Sequence, residues 1–232
     1  MESFDHSAHA PIALPPAPRT GPDLREELQL WHAGFRCIAG IDEVGRGALA
    51  GPVVAAAVVL PPPAQLPPGM WAIDDSKQVP PARREQLCGL ICDVALATGV
   101  GHVSAADIDH MGIAAATRQA MQQAVMAIQR RGHHVDFLLI DFLTLSLPLP
   151  QKGIVKGDRH SLSIAAASIV AKVTRDRLMV ELADTYPGYG FAQHKGYGTA
   201  AHRQALEQLG PCAEHRRSFS PISQPPLWGV TV

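Results

Sequence analysis

Four carboxylates in this 232-residue sequence stand where an α/β chain concentrates its chemistry. Asp42 and Glu43 end an apolar segment, Phe35 to Asp42, and lead into Val44-Gly45-Arg46-Gly47. Asp141 closes the run VDFLLID, Val135 to Asp141. Asp158 follows Lys156-Gly157, just ahead of a helical stretch. Strand ends that open into loops are the usual place for active sites in such folds. If the two strands are neighbours, Asp42 and Asp141 converge. Clustered carboxylates repel one another, and their pKa values rise unless a positive partner is present. A divalent cation resolves the conflict, and hard oxygen ligands select magnesium or manganese over zinc. Two such ions roughly 3.5–4 Å apart can activate water and stabilise the leaving oxygen in phosphodiester hydrolysis. Adjacent strand residues point to opposite faces. Glu43 therefore joins Asp42 in one site only if the strand bends there, and Gly45 and Gly47 provide for a bend. The plainer alternative is a set of separate surface or capping carboxylates, with Asp158 capping its helix.

The loop Gly45-Arg46-Gly47, with Gly51 beyond it, also fits a loose dinucleotide-binding glycine pattern. That pattern should open a helix and be followed by an acidic residue about 20 positions on. Here a Val-rich strand follows, and no Asp or Glu occurs between Glu43 and Asp74. A side-chain-free loop does let backbone groups approach a ligand closely. A 2′-hydroxyl both donates and accepts, so such a loop can tell RNA from DNA. Ser76 and Lys77 are candidate phosphate contacts, or else part of a solvated turn. Lys172 and Arg175 share a helix face and either meet phosphate or pair with Asp176. His194, Lys195 and Tyr197 form a basic and aromatic Gly-rich loop, which suits a nucleic-acid surface. Arg216 and Arg217 either touch a duplex backbone or brace the active-site helix.

Holding these residues in place requires a particular order of elements. A short helix is expected from Leu24 to Ala33, then the strand Phe35 to Asp42 and a buried strand within Gly51 to Leu60. A proline-rich loop, Pro61 to Pro68, precedes a helix over Pro81 to Ala97. A strand over Gly99 to Ser104 follows. Next comes one long helix, Asp107 to Arg131, with Asp107 as N-cap and Gly132 as C-cap. After VDFLLID come a short strand near Gly153 to Lys156, a helix Ser161 to Thr185 and a helix His202 to Leu209. Strands in succession, then strands alternating with helices, indicate an α/β domain with a mixed sheet and helices on its faces.

Composition sets bounds. Hydrophobic residues make up 47% and charged residues 18%, an ordinary globular balance. No run of 18 apolar residues exists, so no membrane span is expected. Residues 1–23 read as a flexible Pro-rich extension and not as a secretory leader; residues 24–232 read as one catalytic domain. Cys37, Cys88, Cys92 and Cys212 form no CxxC pair and read as reduced thiols of a reducing compartment. The net charge is −1, but it is uneven. Residues 1–151 carry 10 Lys and Arg against 15 Asp and Glu, and residues 152–232 carry 10 against 6. A basic C-terminal third facing phosphates is one reading of that asymmetry, and chance is the other.

Several motifs in order carry a stronger signal. DEVGRG at Asp42–Gly47 is followed by GPVVAAAVVL, DDSK at Asp74–Lys77, the strand end at Asp141 and KGD at Lys156–Asp158. Then come IAAASIVAKVTRD at Ile164–Asp176, YGFAQHKGYGT at Tyr189–Thr199 and HRRSF at His215–Phe219. This series resembles bacterial ribonuclease HII over roughly Leu30 to Ile222. The resemblance implies a ribonuclease H-like fold: a mixed five-stranded sheet flanked by helices, with a helical C-terminal part. It implies metal ligation by Asp42, Glu43, Asp141 and Asp158, with magnesium or manganese, two ions per site during catalysis. It implies that Gly45, Arg46 and Gly47 contact the ribonucleotide and that Tyr197 senses its 2′-hydroxyl. The implied substrate is an RNA–DNA hybrid, or duplex DNA holding a single ribonucleotide cut on its 5′ side. The products would carry 3′-hydroxyl and 5′-phosphate ends. A cytoplasmic monomer is the matching expectation. A non-catalytic hybrid-binding module, or another phosphotransfer nuclease of the same fold, remains the alternative. Two positions depart from the pattern. Phe142 follows Asp141 where a small residue is usual, and Asp75 stands where Asn is common. The chain ends soon after SFSPI, so no long accessory tail is expected.

Overall fold

A computed structural model describes residues 21–73 and 79–223. Ser76 and Lys77 lie outside the described residues, as do residues 1–20 of the Pro-rich extension. The extension's last two residues are docked: Pro22 is buried, and the Asp23 carbonyl accepts from Leu162 N at 2.8 Å.

Five strands make one mixed sheet: β1 (Ile38–Val44), β2 (Val53–Val59), β3 (Ala97–Val103), β4 (Phe137–Asp141) and β5 (Gln151–Ile154). Their spatial order is β3-β2-β1-β4-β5. The first three strands pair antiparallel, whereas β4 runs parallel to both β1 and β5. The fold class expected from the motifs is thus the one found. All seven β2 residues are buried, as VVAAAVV requires for a strand covered on both faces.

Helices cover both faces. On one side pack α1 (Arg25–His32), α2 (Pro81–Val94) and α5 (Leu162–Thr185), against Ile38, Ala56, Val58 and Leu139. On the other, α4 (Ile113–Arg130) covers Ala39, Ile41, Ala55 and Ala57. The alternation along β1 and β2 follows from the two-residue period of a strand. Ala165, Ala166 and Ala167 are fully buried and allow α5 to lie close to the sheet. Gly40 completes that approach: a Cβ there would fall 2.2 Å from the Ser163 carbonyl carbon. A third cluster joins Leu49, Met179, Phe191 and Leu206, and anchors the C-terminal helices α6 (Phe191–His194) and α7 (Ala200–Leu209).

The single helix expected over Asp107 to Arg131 is two. Helix α3 (Ala105–Met111) ends at Gly112, whose φ of +79° breaks the helix before α4 starts. Its cap is Ser104, not Asp107: the Ser104 hydroxyl oxygen accepts from Asp107 N at 3.1 Å. Among the described residues, no helix is long and apolar enough to cross a membrane.

Candidate active site

Parallel strands β1 and β4 end side by side, their last matched pair being Ile41 and Ile140. The next residue on each is Asp42 and Asp141. With Glu43 they form a cluster in which one carboxylate oxygen of each lies within 4.8 Å of the others. The β1–β2 ladder stays in register through Val44, so no bulge interrupts β1 at Glu43. Glu43 joins the group beyond the last β1–β4 pair. It is held there by Arg46, whose guanidinium reaches its carboxylate at 3.3 Å.

Burial dominates the electrostatics. Asp42 is raised well above the ordinary carboxylate range by desolvation, then by the charges of Glu43 and Asp141. The Ser168 hydroxyl and the Glu43 backbone N–H oppose this rise by hydrogen bonding to it. Glu43 is also raised, by burial first, although Arg46 pulls it back. Its Oε2 is buried with no hydrogen-bond partner among the described residues. A buried carboxylate oxygen without a donor costs free energy that a cation would recover. Three hard oxygen donors this close, one of them orphaned, fit a divalent cation.

Asp158 stands apart from this cluster. It is buried in the wall of a cleft of about 400 Å³ that also receives Asp141, Arg46, Lys156 and Arg159. It does not cap α5, because Ser161 accepts from Ile164 N and fills that role. Gly157 N donates to Asp141 Oδ1 at 2.7 Å and ties the loop bearing Asp158 to the end of β4.

The Gly45–Gly51 loop rests on two buried arginines. Arg175 and Arg216 are both fully buried. Arg175 donates to the carbonyls of Pro52, Ala50 and Lys195. Arg216 donates to Gly51 O through two nitrogens and to Arg46 O through the third. This corrects the reading of Arg175 as a substrate contact, since its guanidinium is spent on backbone. Arg216 likewise braces the Gly45–Gly51 loop, and not the active-site helix that the sequence reading offered as the alternative to a duplex contact. Gly45 has a φ of +91°, and a Cβ there would lie 2.2 Å from Arg175 Nε. The glycine is demanded by both the turn and the arginine beneath it.

Arg175 also links two loops. Its guanidinium lies 5.3 Å from the Tyr197 ring centroid, and the Lys172 ammonium lies 5.9 Å from it. Leu49 N donates to Gly196 O at 2.8 Å, so the glycine–arginine loop and the Tyr197 loop are joined edge to edge. Lys172 pairs with Asp176 at 2.7 Å, the second of the two readings given for it. His194 is turned inward: Nε2 donates to Tyr189 O at 2.7 Å and Nδ1 accepts from Gly196 N. The Lys195 ammonium folds back on the Ala192 carbonyl. These two therefore shape the loop, with both ring nitrogens of His194 engaged within it. Behind them His202 donates through Nδ1 to Tyr197 O at 3.0 Å and meets His215 Nε2 at 3.0 Å.

The basic C-terminal third thus does not simply face outward. Arg175 and Arg216 are interior, and Arg177 pairs with Glu85. Among the described residues, the cations at the cleft are Arg46, Lys156 and Arg159. Sequence reasoning passed over Arg159 and Ser168. Arg159 directly follows the KGD motif, and Ser168 lies in an alanine run that reads as packing alone.

A mixed sheet of this order, with carboxylates at adjacent strand ends, is the architecture of the ribonucleases H. Ribonuclease H2 from Pyrococcus horikoshii OT3 superposes with a TM-score of 0.66 at 24% identity, over 80% of this chain and 95% of that one. The structure of Bst-RNase HIII in complex with Mn²⁺ gives 0.63 at 20% identity, over 82% and 69%. Sequence narrows the class further. The family model for ribonuclease HII matches residues 39–222. Ribonuclease HII of Geobacillus kaustophilus is 54% identical over 87% of this chain and 75% of its own. That of Dehalococcoides mccartyi is 53% identical over 87% and 94%. The chain belongs to the ribonuclease HII family, and with it to the ribonuclease H enzymes.

Proposed function

We propose that this protein cuts the RNA strand of RNA–DNA hybrids. We propose further that it cuts duplex DNA on the 5′ side of a single embedded ribonucleotide, leaving 3′-hydroxyl and 5′-phosphate ends. The observation that carries the reading is the convergence of Asp42, Glu43 and Asp141 within 4.8 Å, with one buried Glu43 oxygen lacking a partner among the described residues. In this reading Asp42, Glu43 and Asp141 hold the cation, and Asp158 supplies a further carboxylate from the cleft wall. Magnesium or manganese, two ions in the working site, would activate the attacking water and neutralise charge on the phosphate. The manganese complex of a protein of the same fold supports this choice. Arg46 restrains Glu43 and stands at the cleft. Gly45, Arg46 and Gly47 present backbone to the ribose, on a loop held rigid from below. Tyr197, set over the Arg175 guanidinium, packs against the neighbouring sugar and senses the 2′-hydroxyl. Ser76 and Lys77 remain candidate phosphate contacts. A cytoplasmic monomer belongs to the same reading, and the four free cysteines agree with a reducing compartment.

The test is a DNA duplex with one ribonucleotide, incubated with and without magnesium or manganese, with the cut mapped at nucleotide resolution. Cleavage 5′ of the ribonucleotide that requires metal is expected. Binding without cleavage in either metal would leave a hybrid-binding module. Equal cutting of an all-deoxy duplex would point to another nuclease of this fold.

A further inference from the structure

Phe142 is out of place for a side chain with no part in the core. It is 64% exposed, next to Val155 at 64%, in a cleft otherwise lined by Asp141, Asp158, Lys156 and Arg159. Its backbone is held firmly. Phe142 N donates to Ile154 O at 2.9 Å, and Leu143 N donates to Asp141 O at 2.7 Å. The second bond closes a three-residue turn centred on Phe142, whose φ is +61°. A bulky residue at positive φ is an outlier, and the γ-turn of positive φ is the strained one of the two forms. Glycine would occupy that turn without strain. The chain around it does turn inward, since Leu143 and Leu145 pack into the core beneath α4. The ring of Phe142 is turned out, so burial does not explain it. Strain kept beside functional groups is a reason to look for a ligand.

We propose that Phe142 grips the substrate strand, its ring packing on the sugar or base of the nucleotide that flanks the scissile phosphate. The proposal rests on the ribonuclease reading above and adds to it a contact made by Phe142. Three features identify the occupant. The residue directly follows Asp141, so whatever the ring touches lies next to the clustered carboxylates and their cation. Three cations, Arg46, Lys156 and Arg159, line the same cleft and suit a polyanion. An aromatic ring among cations is the arrangement that holds single nucleotides, the ring taking the flat face while the charges hold phosphate. Val155 extends the apolar contact along the strand.

The experiment compares Phe142→Gly, Phe142→Trp and the wild type on a fluorescently labelled duplex with one ribonucleotide. Anisotropy in EDTA gives affinity without turnover, steady-state cleavage gives KM and kcat, and thermal melting reports the fold. Phe142→Gly is expected to bind about 5-fold or more weaker and to raise KM by a similar factor. Its melting temperature should stay level or rise by about 2 °C, because glycine relieves the turn. Phe142→Trp should keep wild-type affinity. Phe142→Gly binding as tightly as wild type overturns the proposal, as does a loss of affinity that tracks a lowered melting temperature. If the tight-binding variant instead abolishes a concentration-dependent self-association of the wild type, the ring serves protein contact. If the wild type neither binds nor cuts the duplex, the ribonuclease reading fails and this contact falls with it. If the wild type cuts while Phe142→Gly binds normally, only the contact fails.

Discussion

Two regions on either side of the Gly45–Gly51 loop bury charge and treat it in opposite ways. At the ends of β1 and β4, three carboxylates share few donors among the described residues: Asp42 has a serine hydroxyl and one N–H, and Glu43 Oε2 has none. Beneath the loop, Arg175 and Arg216 are buried more completely than the carboxylates, yet each of their guanidinium nitrogens donates to a carbonyl. Burial pushes the Arg216 guanidinium down to about 9, helped by the nearby charge of Arg175. The contrast separates two kinds of buried charge. Acceptors left wanting mark a place built for an incoming cation, and donors fully used mark scaffold. An unpartnered oxygen is not enough by itself, since Glu27 Oε2 also lacks a partner among the described residues; at the strand ends it coincides with two further carboxylates within 4.8 Å.

Four substitutions bear on that contrast. The largest effect belongs to the acidic side: Asp42→Asn or Asp141→Asn should cut metal-dependent turnover on the order of 10³-fold with far smaller loss of duplex affinity. Parallel cleavage and binding assays measure this, and near-normal turnover would remove the carboxylates from the chemistry. On the basic side the loss should fall on the fold. Arg175→Met leaves the Pro52, Ala50 and Lys195 carbonyls without donors and should cost about 3 kcal/mol of stability by urea denaturation. Arg216→Met should behave alike, whereas full stability with lowered affinity would return these arginines to the substrate surface.

The smallest effect tests whether the carboxylates are at odds with the fold when no metal is present. Asp42 and Glu43 are raised in the folded state, so it holds their protons more tightly than the unfolded chain does. Their contribution therefore falls as pH rises from about 4 through the raised values. In EDTA, Asp42→Asn should melt about 2 °C or more above wild type at pH 8, and the gain should vanish near pH 4. Added magnesium should stabilise the wild type more than the variant. An acid-side loss runs the other way: burial lowers His215 to about 4, so its contribution disappears as pH falls from about 6.5 toward that value. Comparing the variant with wild type at each pH cancels the histidine.

The acidic site was largely legible in the sequence, because a carboxylate at the end of an apolar strand is a local pattern. Asp42 and Asp141 needed only neighbouring strands to meet, and β1 and β4 are neighbours. The arginine brace was not legible. Spacing on a helix shows that Lys172 and Arg175 share a face, but not that Arg175 points at carbonyls more than 120 residues away in sequence. The α3–α4 break escaped for a related reason: apolar periodicity continues across Gly112, and only its φ reveals the stop. Asp158 was placed correctly as a carboxylate near a helix start, but the neighbouring Ser161 makes the cap. Phe142 stood out by its type alone, and its outward orientation required coordinates.

Gly40 lies two residues before Asp42 on β1, pressed against the first turn of α5. The hydroxyl that reaches Asp42 comes from Ser168, five residues further along that helix from the contact at Ser163. A hydrogen atom in place of a methyl group therefore sets the stand-off height of a 24-residue rod above the sheet. Thickening that seam would tilt the rod like a shim under a beam, and Asp42 would lose its hydroxyl neighbour without any change at the reacting groups themselves.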